Sequence, residues 1–270
     1  MEKPTRRKFL TGALAVLGGS VLTAWIFRRN ILLNTLFKAE VNPDISATLA
    51  PTLDTEVCVL TSKQTEGPFY RPSLERSNII EDRIGKGLDL KIQVLRHPDC
   101  IPIENAVVEI WQGDANGNYS GYPDQVAMDV WKLFMYVAKH GEKHGDEFRA
   151  KPTEKTTFLR GLQKTDKDGW VTFNTIIPGW YVKRIPHIHF KISIGEEEQL
   201  TSQFYFEKEF QDRIFTTIEP YKTQGICPTT VQTDLAVAMM PGKLEGVLLN
   251  PIWSDSSPLA ATAKIGIMQG

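Results

Sequence analysis

Leu88, Leu90, Ile92 and Val94 alternate with Asp89, Lys91 and Gln93. A period of two puts every apolar side chain on one face of an extended strand, whereas a helix would scatter them around its circumference. The pattern recurs. Ala106 to Trp111 reads as a second strand rich in β-branched residues, and Trp170 to Ile176 as a third, following the turn Thr165 to Gly169. His187 to Ile194 gives a fourth, Gly195 to Gln199 a turn, Leu200 to Phe206 a fifth and Leu244 to Trp253 a sixth. Short strands divided by turn residues predict an all-β fold, an antiparallel β-sandwich. A long insertion from Pro123 to Thr157 separates the second and third strands. Its first part predicts a helix, and an insertion of this length in a compact β-domain points to a lid or other functional element.

The chain has 270 residues, a formal net charge of −1 and 41% hydrophobic residues. That is enough for a large core, and it offers no bulk positive field for nucleic acid. Residues 56–270 read as one domain, preceded by a polar, proline-containing arm over 31–55. Residues 1–30 differ in kind. Arg6 and Arg7 precede Phe9, Leu10 and an apolar run from Gly12 to Phe27 that glycines interrupt. This is a targeting segment, expected to be helical, and it resembles a twin-arginine export signal of bacteria. The other reading is a short membrane anchor closed by Arg28 and Arg29. Either way the domain is expected outside the cytoplasm: periplasmic, extracellular or anchored facing outward, touching membrane only through this segment. Three cysteines, Cys58, Cys100 and Cys227, allow one disulfide and match no zinc spacing; which two pair is left open. Whether the chain forms a homo-oligomer is equally open.

Of five histidines, His187 and His189 stand two apart on the fourth strand. They share one strand face, while Ile188, Phe190, Ile192 and Ile194 take the other. Parallel imidazoles suit two ligands on one metal. Taken alone, though, such a pair reads first as a polar face open to water. His140 and His144 have a helical ligand spacing, but Gly141 and Gly145 break the helix, so they read as loop histidines. Asp114 to Tyr119 begins like a calcium loop, yet Tyr119 stands where that loop needs glycine and Gln125 where it needs glutamate. Glu196 to Glu198 reads as a solvated hairpin tip, and Trp111 and Trp170 as core.

Other residues reverse the reading of the histidine pair. The sequence carries, in order, Val-Glu-Ile-Trp-Gln (108–112), Gly-Asn-Tyr ending at Tyr119, Thr-Asp-Lys-Asp-Gly (165–169), Pro-Gly-Trp-Tyr ending at Tyr181, and Arg184-x-x-His187-x-His189. This ordered set, spread from about Thr65 to Phe206, resembles the intradiol ring-cleavage dioxygenases, the family of protocatechuate and catechol dioxygenases. The resemblance implies a mononuclear non-haem Fe(III) held by Tyr119, Tyr181, His187 and His189, with hydroxide as a further ligand. Hard phenolates suit the ferric ion, and two phenolates with one hydroxide balance three positive charges.

The implied reaction cleaves a catechol-type aromatic ring with O2, between its two hydroxylated carbons, to a muconate-type diacid. Tyr181 would serve as ligand and then as base. Arg184 would stabilise negative charge on the ring, with Gln203 beside it, and Thr65, Gly67 and Pro68 would line the substrate pocket. Each has a plainer reading: Arg184 as a surface residue at a strand end, Gln203 as an ordinary strand glutamine, and the Thr65–Pro68 stretch as a turn. The competing whole-chain reading is a noncatalytic, transthyretin-like β-sandwich that binds a sugar or partner at the cell envelope. The arm before Cys58 is too short and polar for the helical dimerisation domain of catechol dioxygenases, which points to a single protocatechuate-type subunit.

Overall fold

A computed structural model describes residues 58–145, 147–238, 244, 246–255 and 258–268. The expected targeting segment at 1–30 and the arm at 31–55 lie outside the described residues.

The alternating segment forms strand β1, Gly87–Arg96, with Leu88, Leu90, Ile92 and Val94 fully buried. Next come β2 (Ile101–Pro102), β3 (Val107–Gln112), helix α1 (Val130–His140), β4 (Gly141–His144) and β5 (Glu147–Ala150). They are followed by β6 (Arg160–Lys164), β7 (Trp170–Ile176), β8 (His187–Ile194) and β9 (Glu197–Phe206). The remainder is α2 (Lys208–Thr217), two single-turn helices at Tyr221–Gln224 and Leu235–Ala238, β10 (Leu248–Leu249) and β11 (Leu259–Ile267).

In one sheet β1 is flanked by β11 on one edge and by β7 and β2 on the other. The second sheet runs β10-β9-β8-β3-β6. A single apolar cluster takes Leu90, Phe173 and Ile265 from the first sheet and Ile110, Phe190 and Phe204 from the second. The sheets therefore bury one core between them, each large side chain contributing about 1.5–3 kcal/mol.

Three expectations change. The sheets are not wholly antiparallel, because β1 pairs in parallel with β11 and β9 with β10. Each of those pairs joins strands separated by intervening elements, which supply the crossover that a parallel pairing needs. The expected sixth strand over Leu244 to Trp253 shrinks to β10, and the long final strand is β11. The insertion holds the expected helix, with Asp129 capping α1 by accepting from Lys132 N at 2.8 Å, and β4 and β5 then form a hairpin. His140 thus ends a helix and His144 ends a strand, rather than both lying in a loop. Glu196 to Glu198 are exposed at the tip of the β8–β9 hairpin, as expected, and Glu198 also meets buried Lys191 at 3.1 Å.

Candidate metal centre

Strand β8 is buried on both faces. Ile188, Phe190 and Ile192 enter the shared core, while His187 and His189, each 2% exposed, face the other way beneath a second apolar cluster. The imidazoles are therefore not an open polar face. Trp111, opposite His189 on β3, stacks on it with ring centroids 4.9 Å apart and planes 6° from parallel. On the other side, β9 sets Gln203 opposite His189 and Tyr205 opposite His187.

Two loops bring in the phenols. Asp114 folds the loop after β3, accepting through its carboxylate from Asn116 N and Asn118 N, and so presents Tyr119. The Pro178-Gly179 turn presents Tyr181. A Cβ at Gly179 would lie 2.4 Å from Ala115 O, and one at Gly117, where φ is +77°, would lie 2.5 Å from Trp180 O. Only glycines let these backbones touch, and the contact leaves the Tyr119 and Tyr181 rings 5.8 Å apart.

Four donor atoms converge. Tyr119 Oη lies 3.3 Å and Tyr181 Oη 3.4 Å from His187 Nε2, which is 3.1 Å from His189 Nε2. Nδ1 of His187 sits 2.6 Å from the Ile185 carbonyl, which can only accept, so the proton is on Nδ1 and Nε2 is a bare lone pair. Burial pushes both phenols above their ordinary pKa and both imidazoles well below theirs. Neutral imidazoles and phenols gathered in this way form a donor set of the right chemistry for a cation. Atoms about 2.0–2.1 Å from one metal ion, at tetrahedral to octahedral angles, are about 2.9–3.4 Å from each other, which matches these separations. Among the described residues no group of three or more His, Cys, Asp and Glu could hold a metal. The groups beside the histidine pair are the phenols of Tyr119 and Tyr181.

Arg184 is also buried, at 6% exposure, and is not a surface cap. Its Nη1 donates to Tyr181 Oη at 3.0 Å, Nη2 donates to Gln203 Oε1, and Nε faces both oxygens of Asp234 at 3.0 and 3.1 Å. Burial alone would lower its pKa, but the Asp234 carboxylate and Tyr181 outweigh burial and raise it. Gln203 in turn donates to the Thr65 carbonyl at 2.9 Å. Gly67 has φ +72°, and a Cβ there would meet His189 Cε1 at an ordinary 3.5 Å, so backbone conformation rather than crowding calls for glycine. Pro68 leads to Phe69, which stacks on Tyr119 at 4.7 Å. The residues that the resemblance assigns to the site, Thr65, Gly67, Pro68, Tyr119, Tyr181, Arg184, His187, His189 and Gln203, thus gather here. His140 and His144 do not join the donor contacts, and Trp170 is half-buried on β7. Sequence reasoning missed Asp234, which carries no motif, and it missed Trp111 as the wall behind His189.

A family profile described as Dioxygenase matches residues 66–235, a span that includes all four donors, Arg184, Gln203 and Asp234. The chain is 28% identical over 149 residues to a chlorocatechol 1,2-dioxygenase of Cupriavidus pinatubonensis, covering 53% of each. It thus spans about half the length of the curated relatives it matches. An intradiol ring-cleavage dioxygenase from Tetranychus urticae superposes with a TM-score of 0.65 at 30% identity, over 78% of this chain and 95% of that one. A 3-chlorocatechol 1,2-dioxygenase from Rhodococcus opacus 1CP, 20% identical, shares the fold with a TM-score of 0.52 over 97% of this chain and 96% of that one. The matched profile covers more than half of the sequence and brackets the whole donor cluster: the chain belongs to the intradiol ring-cleavage dioxygenase family.

Proposed function

We propose that the chain is a non-haem Fe(III)-dependent intradiol dioxygenase that opens a catechol-type ring between its hydroxylated carbons, placing both atoms of O2 in a muconate-type diacid. The observation that carries this is the meeting of two buried phenol oxygens with two buried imidazole nitrogens, 3.1–3.4 Å apart. Tyr119, Tyr181, His187 and His189 would hold the ion, and phenolates, being hard and anionic, favour ferric over ferrous iron. Ferric iron, when bound, supplies a Lewis acid that draws electron density from a catecholate and opens its ring to O2.

The protein's own groups do the rest. Tyr181 Oη, held by Arg184 at 3.0 Å, is placed to accept a proton that an incoming catechol gives up. Asp234 keeps the Arg184 guanidinium charged although buried, so it can offset negative charge on the ring. Gln203 fixes the other arm of that guanidinium. Phe69 packs on Tyr119 and Trp111 on His189, which holds the two rings in place. Two phenols, two imidazoles and the Arg184–Asp234 ion pair buried together have no evident use in a noncatalytic binding module, which disfavours that reading. We further propose that the reaction takes place outside the cytoplasm, on the strength of Arg6, Arg7 and the apolar run behind them.

Protein purified with ferric iron should be red-brown from tyrosinate-to-iron charge transfer, take up O2 with catechol, and yield a product carrying both oxygen atoms. A colourless protein that binds zinc or nothing, and consumes no O2, would sink the proposal.

A further inference from the structure

The β4–β5 hairpin contributes no donor, yet it grips the segment that covers them. Glu147 accepts from Thr65 Oγ1 at 2.9 Å and from Glu66 N at 3.2 Å. Arg149 donates through Nε and Nη2 to the two oxygens of Glu66, at 2.6 and 2.9 Å, a parallel fork that fixes direction as well as distance. Ala150 N donates to Pro68 O at 2.8 Å. On its opposite side the same segment lies against the site: Thr65 O takes the Gln203 amide, Gly67 sits by His189, and Phe69 stacks on Tyr119. Glu66 is 3% exposed and is further held by Lys191 Nζ at 2.5 Å, two strand positions beyond His189 on the same face of β8. The strap of Thr65 to Phe69 is therefore squeezed between the hairpin and the donor cluster.

We propose that the β4–β5 hairpin is a clamp: Glu147 and Arg149 hold the strap against His189 and Tyr119, and so set how bulky a ring substituent the site admits. This rests on the catechol-cleaving reading, since it names what the clamped space selects. Glu147 and Arg149 are positioning residues that act through Thr65, Glu66 and Gly67. Arg149 is 30% exposed and none of the four donors touches either residue, so their loss should leave iron binding intact.

The test is Glu147→Ala with Arg149→Met in the full chain. Amide exchange at Glu66 and Gly67 should quicken roughly tenfold or more, since Glu66 N loses its acceptor and the local opening becomes cheaper. Iron content and colour should match wild type. For unsubstituted catechol KM should rise with kcat nearly kept, and kcat/KM for a bulky substituted catechol relative to catechol should rise roughly tenfold. If the pair does not fold, Arg149→Met alone is read by the same measures. Unchanged exchange at Glu66 and Gly67, or a uniform fall in kcat/KM for every ring, would overturn the clamp. Exchange is read without iron, so a colourless, inactive wild type would defeat the ferric reading while the clamp is judged separately.

Discussion

Asp234 shows how much one side chain can organise. Besides its ion pair with Arg184, it accepts from Ile185 N at 2.8 Å and from Ala236 N at 2.9 Å at the start of the Leu235–Ala238 turn. The side chains of the pair are 7% and 0% exposed, so removing one partner leaves an uncompensated buried charge. Asp234→Ala should cost about 3–5 kcal/mol in urea unfolding, and Asp234→Asn less, because the amide oxygen can still accept from the backbone. The histidines give a second expectation, for the iron-free protein. Burial holds the pKa of His187 and His189 below the ordinary value near 6.5, so below that pH the unfolded chain binds protons that the folded chain refuses. Stability should be level above about pH 6.5 and fall as pH drops toward the folded-state values. Melting temperatures of iron-free wild type between pH 7.5 and 5 should show this decline, and His187→Gln with His189→Gln should flatten it. A strand's period puts His187 and His189 on one face, but alone they read as a polar face, and only the resemblance carried by the ordered motifs joins Tyr119 and Tyr181 to them. Asp234 was not, since it meets Arg184 across 50 positions with no local pattern to announce it.

Strand legibility follows the contrast between the two faces. β1 was plain because leucine, isoleucine and valine alternate with charge. β11 repeats the burial pattern, with Leu259, Ala261, Ala263 and Ile265 buried, but alanines give little apolar signal and its exposed positions include Ala260. β6, Arg-Gly-Leu-Gln-Lys, reads as polar, because its Arg160 is buried by a hydrogen bond to Ser120 Oγ at 2.8 Å rather than by an apolar side chain. The cysteines were undecided in sequence; the structure joins Cys58 to Cys100 and leaves Cys227 buried and free, its thiol pushed up to about 11 by burial. The disulfide ties the stretch before β1, where Thr61 N donates to Gly266 O on β11, to the turn between β1 and β2. Closing a loop across 42 positions restricts the unfolded chain, so replacing both cysteines by serine should cost about 2–4 kcal/mol. Urea unfolding with and without reductant should show wild type falling to the variant's midpoint only when reduced.

The site draws on residues from Thr65 to Asp234, so the proposed ferric centre would form only when most of the domain is folded. Iron and fold would be acquired together, and a chain that loads its metal in the cytoplasm has to leave it already folded. The twin arginines fit that demand, because the export route they resemble carries folded proteins. The disulfide adds an independent argument: Cys58–Cys100 is the kind of bond that persists in an oxidising compartment. If both inferences hold, wild type should be found outside the cytoplasm with iron bound and this pair oxidised. Arg6→Lys with Arg7→Lys should be retained inside, still loaded with iron, with Cys58 and Cys100 reduced. Cell fractionation followed by thiol alkylation and mass measurement reads location and redox state together. Equal export of the two forms would remove the twin-arginine argument, whereas retention of the variant with an already oxidised pair would remove the argument from the disulfide and leave the export signal standing.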